Sequence, residues 1–330
     1  MENDFPAGIY LLIFIVGAVT SGLCAPFWIR LTRNWHLVDH PGHRKIHRDP
    51  IPLAGGLIVS TGLVIPILAA IIAIRCSFPL LDAQIIDLSS YGLSTRSWQL
   101  AGLVIGALGM LMVGLIDDRH ALPPGQKLLA QALVALLVAL TGTRITLFIP
   151  SAFISYVITI LWFLTLVNAF NFTDNMNGLC TGLGMISALI LALHSALPGH
   201  YLVSSLGFLV AGALFGFIPS NFPHARAFLG DAGSHLVGYL IAALAVLPHF
   251  HHEAQPNRLG VFAPLLILGF VALDLCWVVV FRIRRGKPIY VGDTNHLSHQ
   301  LVRRGYSTTR AVIVIWIGHA LIASLSFCLI

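Results

Sequence analysis

The sequence of 330 residues has few charged side chains. Charged residues make up 10% of it and hydrophobic residues 57%, against roughly 25% and 45–50% in soluble domains. Almost nothing is left over for a soluble domain, so the composition indicates an integral membrane protein. Alternating strands of about ten residues, typical of membrane barrels, are also lacking. The apolar segments are therefore predicted to be α-helices.

Cysteine pairs and basic clusters with aromatics are absent too. The five cysteines, at positions 24, 76, 180, 276 and 328, form no close pair, so neither a disulfide framework nor a thiolate metal site is predicted. Acids and no bases precede the first apolar segment, which is the reverse of a cleavable secretory signal. No basic segment carries interleaved aromatic residues, and this argues against nucleic acid as a partner.

Ten apolar segments have about the length that a helix needs to cross a bilayer. They cover residues 9–31, 52–74, 99–116, 127–143, 147–167, 178–197, 201–218, 234–249, 259–281 and 311–330. We predict an all-α integral membrane protein with about ten transmembrane helices, in which residues 1–330 form one polytopic domain.

The distribution of basic residues predicts the orientation. Fifteen of the 19 Lys and Arg residues lie in loops that follow odd-numbered segments. The positive-inside rule places these loops in the cytoplasm and both termini outside. The formal charge of +6 suits an anionic membrane face and anionic substrates.

Two adjacent acids, Asp117 and Asp118, end the third segment, and Lys127 opens the fourth. At a helix C-terminus the dipole is already negative, and two like charges beside hydrocarbon repel each other. A divalent cation, the nearby lysine or both would make this arrangement tolerable. The alternative interpretation is a solvated helix end.

The first predicted cytoplasmic loop is basic and ends in two glycines. Its residues Arg44, Lys45 and His47 could bind phosphate or anionic lipid head groups. Gly55 and Gly56 follow them and would let the backbone approach a ligand closely.

The third and fourth predicted cytoplasmic loops carry acids and amides. The third contains Asn171, Asp174 and Asn177 and no basic residue, which suits either cation coordination or turn chemistry. In the fourth loop, Asp231 either caps the next helix or carries a metal at its N-terminus.

The last predicted cytoplasmic loop is the most basic. It contains Arg282, Arg285, His296 and His299, which could bind phosphate, transfer protons or ligate a metal; contact with anionic lipid is the alternative. Asp274 in the ninth segment is an acid within the membrane, and Arg282 is its candidate partner.

Acids and bases are thus predicted on one membrane face. The acids are Asp117, Asp118, Asp174, Asp231 and Asp293. Carboxylates for Mg²⁺ and bases for phosphate at a single interface indicate phosphoryl transfer. Transporters tend instead to place polar groups near the bilayer midplane.

In these motifs the chain resembles the polyprenyl-phosphate N-acetylhexosamine-1-phosphate transferases, which include enterobacterial-antigen and teichoic-acid initiating enzymes. The resemblance covers nearly the whole chain and rests on five ordered motifs. These are RKxH with the following GG, GLIDD with Lys127, NAFNFTD, FLGDAGS, and RRGKP with the later D..H..H.

The resemblance implies a reaction and its setting. A polyprenyl phosphate attacks the β-phosphorus of a UDP-N-acetylhexosamine, with N-acetylglucosamine the expected sugar, and UMP leaves. Mg²⁺, or Mn²⁺ in its place, bridges the diphosphate. The expected location is the inner (cytoplasmic) cell membrane, with the site facing the cytoplasm and a homodimer as one state to test.

The resemblance also implies roles for individual residues. It places the metal on Asp231 and Asp174, the lipid phosphate at Asp117 and Asp118, and the diphosphate at His296. The implied phosphate and substrate contacts are Lys127, Asn171, Asn177, Arg44, Lys45, His47, Arg282, Arg285 and His299.

Two positions depart from the family pattern. Asn177 stands where the family has a second aspartate, and Ser298 stands in place of one histidine.

Two other functions are compatible with a membrane bundle. A flippase for lipid-linked sugars would move its substrate without releasing UMP. The CDP-alcohol phosphotransferases also use clustered aspartates, but their D-G-x-x-A-R signature is absent.

Overall fold

A computed structural model of the protein describes residues 7–41, 49–76, 96–146, 151–248, 260, 262–286, 288 and 295–329. These residues are mostly helical. The helices are α1 Ala7–Asn34, α2 Gly55–Arg75, α3 Ser97–His120, α4 Pro124–Leu140, α5 Ala152–Thr173, α6 Leu179–Ala196, α7 Tyr201–Asn221, α8 Gly230–Val246, α9 Ala263–Ile267, α10 Gly269–Arg284, α11 Leu297–Arg303 and α12 Thr308–Ser324, followed by a 3-10 turn, Leu325–Leu329.

The helices have the length and composition of a membrane bundle. Within the described ranges, seven are long and apolar enough to cross a bilayer: α1, α2, α3, α5, α6, α7 and α12 with its 3-10 extension. Helices α4 and α8 are apolar but shorter. The all-α membrane class is therefore confirmed, while the number of spans and the sides of the loops stay predictions.

The ninth predicted segment, 259–281, is not one helix in the structure. Helix α9 ends at Ile267 and α10 begins at Gly269, with a turn at Leu268 between them. Glycine at the first position of α10 lowers the helix propensity at this point. The apolar pattern continues across the turn, so hydropathy alone does not reveal it.

A small antiparallel pair of strands joins the ends of the first predicted loop. Strand β1, Val38–Asp39, pairs with β2, Ile51–Pro52, in the register Val38 to Pro52 and Asp39 to Ile51. Leu53 then forms a parallel bridge with Phe228, just before α8. Strands of two residues carry no alternation in the sequence, so they were not predicted.

Burial is concentrated in the middle of the chain. Helices α6, α7 and α8 are mostly buried, whereas α1 and α4 expose large apolar side chains such as Leu23, which is 77% exposed. In a bilayer this exposed surface would face lipid. The central helices thus form a core against which the others pack.

Glycines bring α2 and α3 unusually close to the start of α8. A Cβ atom on Gly56 would lie 2.7 Å from the backbone nitrogen of Gly233, and one on Gly114 would overlap Ala232. The N–H of Gly55 also donates to the carbonyl of Phe228 at 3.0 Å. The sequence predicted that Gly55 and Gly56 approach a ligand; the close approach that the structure shows is instead to Phe228 and the start of α8.

Candidate active site

The N-terminus of α8 is capped by a side chain from another helix. Asp118, at the end of α3, accepts hydrogen bonds from the backbone N–H groups of Asp231 at 2.8 Å and Ala232 at 3.0 Å. Gly230 has a φ of 74°, a conformation that glycine adopts without strain. Asp118 therefore satisfies amides that the helix itself leaves unpaired. The interpretation of Asp231 as the cap is wrong, because the capping carboxylate is that of Asp118.

The side chain of Asp231 is instead turned toward α5 and α4. Its Oδ1 accepts a short hydrogen bond from Asn171 Nδ2 and lies 3.6 Å from Lys127 Nζ. The same Asn171 nitrogen also donates to Ser234 Oγ at 2.9 Å. Asn171 thus links α5 to the start of α8 through Asp231 and Ser234.

Lys127 is the cation at the centre of this group. Its Nζ lies 2.6 Å from Asp117 Oδ2 and donates to Asn171 Oδ1 at 3.2 Å. Asp117 is only 8% exposed, and its other oxygen accepts a hydrogen bond from the N–H of Leu122 at 2.7 Å. The lysine that the sequence predicted as a partner for the acid pair is therefore a partner of Asp117.

Asp174 adds a further carboxyl group just beyond α5. Its pKa is raised to about 8, first by burial and then by the nearby charges of Asp231 and Asp118. A hydrogen bond from the backbone of Gly230 opposes this increase. Several acids thus converge at one place, and a cation would relieve their repulsion.

Three potential metal-binding side chains form a compact group here. A carboxylate oxygen of Asp117, one of Asp231 and a ring nitrogen of His235 all lie within 4.8 Å of one another. Helix α8 supplies Asp231 and His235 four residues apart, which places them on one helix face. The arrangement can hold a positive charge between α3 and α8.

A second polar group lies between Asp274 in the second turn of α10 and His296, which directly precedes α11. His296 Nδ1 is 2.8 Å from Asp274 Oδ2, and the N–H of Leu297 donates to Asp274 Oδ1 at 2.8 Å. The candidate partner of Asp274 was Arg282, so this pairing is a correction. Arg282 and Asp274 are two turns apart in α10, which is too far for a direct contact. The Arg282 guanidinium lies 4.9 Å from the ring centre of Phe172.

Known proteins are similar to this chain over most of its length. Residues 100–249, which run from α3 through α8, match glycosyl transferase family 4. The chain is 30% identical to decaprenyl-phosphate N-acetylglucosaminephosphotransferase from Mycolicibacterium smegmatis, over 96% of this chain and 82% of that protein. It belongs to the polyprenyl-phosphate N-acetylhexosamine-1-phosphate transferase family.

Two further relatives agree with this family. A probable undecaprenyl-phosphate N-acetylglucosaminyl 1-phosphate transferase from Bacillus subtilis is 28% identical, over 93% of this chain and 81% of that protein. The undecaprenyl-phosphate alpha-N-acetylglucosaminyl 1-phosphate transferase of Escherichia coli K12 is 25% identical, over 90% and 77% respectively. The resemblance stated from the sequence motifs is confirmed, and the chain is an enzyme of this transferase family.

The remaining residues predicted for this transferase have other surroundings. Asn177 donates to the backbone carbonyl of Pro223 at 3.2 Å, and Ser298, the family departure, donates to Asn175 at 2.7 Å. The guanidinium of Arg285, the residue directly after α10, lies over the ring of Phe281 in that helix, at 4.2 Å. These contacts leave the predicted substrate roles of Asn177 and Arg285 as predictions.

The two predicted histidines of the last loop lie close together. The ring centres of His296 and His299 are 6.1 Å apart, although His296 precedes α11 instead of lying within it. Arg44, Lys45, His47 and Asp293 lie outside the described residues.

The sequence analysis missed His235. A single histidine in an apolar segment resembles a core residue, and nothing in the residue type distinguishes it. The available signal was its spacing of four from Asp231 in the FLGDAGSH sequence, which predicts one shared helix face.

Proposed function

We propose that this transferase moves N-acetylglucosamine 1-phosphate from its UDP-sugar to polyprenyl phosphate and releases UMP, so that it initiates a cell-envelope polysaccharide. The observation that carries this proposal is the position of Lys127, between Asp117, Asp231 and Asn171. A partly buried ammonium group among acids from two other helices is suited to binding phosphate once the acids have another cation.

The residues around Lys127 fit a divalent cation of the Mg²⁺ type. Carboxylate oxygens are its preferred protein ligands, and those of Asp117 and Asp231 lie within 4.8 Å of each other. When bound, such an ion neutralises charge on the diphosphate and the leaving phosphate. Asp231 and Asp117 would hold it, with Asp174 close by.

The acceptor phosphate needs orientation more than it needs a base. A phosphate monoester has a second pKa of about 6, so polyprenyl phosphate is largely ionised at neutral pH. Asp117 and Lys127 would position its attacking oxygen, and Asp118 would act by fixing the start of α8. Orientation and electrostatics account for most phosphoryl transfer catalysis.

The donor diphosphate would be engaged by the group that His296 forms with Asp274 of α10. Asp274 fixes the ring orientation of His296 through Nδ1, which leaves Nε2 to face a substrate. The ring centres of His296 and Phe172 lie 6.4 Å apart. Phe172 follows Asn171 in α5, so this contact connects His296 to the helix that carries Asn171. Arg282, whose guanidinium contacts the same ring, would add a positive charge.

The proposal includes the membrane setting. Acid-bearing helix ends meet at one end of the bundle, and the positive-inside rule assigns that end to the cytoplasm. Polyprenyl phosphate would reach the site from the bilayer, and UDP-sugar from the cytoplasm. A homodimer is a further proposal that light scattering of the purified protein would test.

The test uses purified protein with Mg²⁺, polyprenyl phosphate and a panel of UDP-sugars, and it measures both UMP and lipid-linked sugar. We expect UMP release with UDP-N-acetylglucosamine, and a loss of about 10²–10³-fold in Asp117→Asn and Asp231→Asn. The control is Glu253→Gln, in a loop predicted to lie outside. Near-normal turnover in both aspartate variants would refute the proposal, and sugar-lipid movement without UMP would indicate a flippase.

A further inference from the structure

A cavity that is separate from the acid cluster lies beside the last turns of α1. Its volume is about 580 Å³, which is typical of small-molecule sites. It is lined by α1, by the residues around strand β2, and by the end of α7 with the segment that follows it, whereas Asp117, Lys127 and Asp231 do not line it. The cavity is therefore not part of the candidate active site.

Three arginines line this cavity from two sides. Arg30 and Arg33 lie three residues apart near the end of α1, which places them on one helix face, and Arg226 lies in the segment before α8. Asp49 is the single acid among the described lining residues. The cavity thus has an excess of positive charge, and its guanidinium groups repel one another unless an anion lies between them.

The three guanidinium groups are accessible to such an anion. All three arginines are exposed, and within the described ranges none of them forms an ion pair. Arg226 makes one long hydrogen bond, from Nη2 to the backbone carbonyl of Pro219 at 3.4 Å. A guanidinium group is a planar fork of N–H donors that matches two oxygens of a phosphate group.

Arg30 and Arg33 lie at the depth of lipid head groups. Helix α1 has 28 residues and is about 42 Å long, whereas the hydrocarbon core of a bilayer is about 30 Å thick. The last turns of α1 therefore extend beyond the hydrocarbon. Trp35, which directly follows α1 and is 50% exposed, agrees with this depth, because tryptophan is enriched at membrane interfaces.

The part of the cavity farther from the end of α1 is apolar. It is lined by small and aliphatic residues of that helix, Gly22, Ala25, Pro26 and Ile29. Gly22 precedes Arg30 by about 12 Å along the helix axis, and Leu23 and Phe27 beside this stretch are strongly exposed. In a bilayer the stretch would face lipid, so the cavity joins an apolar wall to a cationic end.

We propose that this cavity binds one anionic phospholipid, with its phosphodiester between the arginines and an acyl chain along α1. An apolar wall that continues from a cationic end suits a lipid better than free phosphate, which has no apolar part. A zwitterionic lipid would bring its own ammonium group toward the arginines and would bind more weakly. The inference concerns a bound lipid and not a substrate, so it does not rest on the proposed function.

A lipid in this cavity would join α1 to the segment that leads into α8. The N–H of Arg226 donates to the carbonyl of Ser220 at 2.8 Å, and that of Phe228 donates to the carbonyl of Pro52 at 2.9 Å. The walls of the cavity are thus connected by backbone hydrogen bonds to the residues just before Gly230, where α8 begins. A lipid bound only to the folded protein should therefore also raise its thermal transition.

The experiment uses native mass spectrometry of the purified, delipidated full-length protein. Phosphatidylglycerol is added in one series and phosphatidylcholine with the same acyl chains in another. We expect one phosphatidylglycerol to bind about tenfold more tightly than phosphatidylcholine, and this preference to disappear in Arg30→Gln combined with Arg33→Gln. Inorganic phosphate should not displace the lipid. Equal binding of the two lipids to the wild type, or displacement by inorganic phosphate, would overturn the inference.

Arg303→Gln combined with Arg304→Gln is the matched control. It removes the same two charges from exposed positions at the end of α11, and neither residue lines the cavity. This control should keep the preference for phosphatidylglycerol. If it loses the preference as the other double variant does, the lipid responds to overall charge and the inference is overturned.

A kinetic measurement separates a phospholipid site from an acceptor site. The KM for polyprenyl phosphate should be unchanged in Arg30→Gln combined with Arg33→Gln. A KM that rises about tenfold with the loss of phosphatidylglycerol binding would mean that the cavity takes the acceptor, and would overturn the inference. A wild type that prefers phosphatidylglycerol but releases no UMP would keep the lipid site and refute the proposed function, so the two failures are distinguishable.

Discussion

Adjacent aspartates at the end of α3 have different partners. Successive residues of a helix point about 100° apart, so Asp117 faces Lys127 while Asp118 faces the start of α8. One carboxylate binds a movable side chain, and the other binds rigid backbone. We therefore assign Asp118 to positioning the helix that carries Asp231, and Asp117 to the chemistry.

This difference predicts different stabilities for variants of Asp118. Asp118→Ala removes the acceptor for two helix N–H groups and should cost about 1–2 kcal/mol of unfolding free energy. Asp118→Asn should cost less because its amide oxygen still accepts. Thermal unfolding followed by tryptophan fluorescence would measure this, with exposed Arg119→Ala as the control. An unchanged transition in Asp118→Ala would contradict the capping role.

Asp174 predicts a pH dependence of stability. Its pKa is about 8 in the folded protein and about 3.9 in an unfolded chain, so between these values the folded state holds one more proton. The free energy of unfolding must then fall as pH rises from about 4 to about 8, and level off above. Compared with Asp174→Asn, metal-free wild type should lose more thermal stability between about pH 6 and 8. Parallel curves would exclude this titration.

Sequence reasoning identified these residues but not all of their contacts. The pairing of Asp117 with Lys127 was accessible because they are ten positions apart, at facing ends of consecutive helices. The bond from Asp118 to the backbone of α8 spans 113 positions, and no local pattern encodes it. The same holds for His296, whose partner Asp274 lies in an apolar segment where Arg282 was closer along the chain.

At the scale of elements, glycines determine where α8 begins relative to its neighbours. Gly114 of α3 faces Ala232 and the carbonyl of Asp231, and Gly56 of α2 faces Gly233. Small residues of this kind let helices in membranes approach closely. The sequence predicted the helices from their apolar length but could not predict which glycines face which helix.

Gly114→Ala should therefore displace the helix that carries Asp231. Its added methyl group would overlap backbone atoms, and overpacking of this kind costs about 1–3 kcal/mol. We expect a lower thermal transition together with reduced UMP release. The control is Gly318→Ala in α12, where a Cβ meets nothing within 4 Å. Equal behaviour of the two variants would mean that the α3–α8 contact is not tight in the working enzyme.

At the scale of the whole molecule, the chain repeatedly returns to one end of the bundle. Helices α3 and α5 end there, and α4 and α8 begin there. The contacts among Lys127, Asn171 and Asp231 show that these helix ends meet. Alternating direction was predictable from ten apolar segments with short loops. The convergence of acids on one helix start was not, since it depends on the packing of α8 among α2, α3 and α5.

This architecture predicts opposite accessibility for its two ends in cells. Cys76, exposed after α2, lies at the end away from the acids, whereas His120 is exposed at the end of α3 beside them. With the other four cysteines replaced by alanine, a membrane-impermeant maleimide should label Cys76 in intact cells. A protein with His120→Cys in a background without Cys76 should be labelled only after permeabilisation, because the positive-inside rule places that end in the cytoplasm. The reverse pattern would place the candidate site outside the cell. UDP-sugar from the cytoplasm could not reach it there, so this result would rule out the proposed donor.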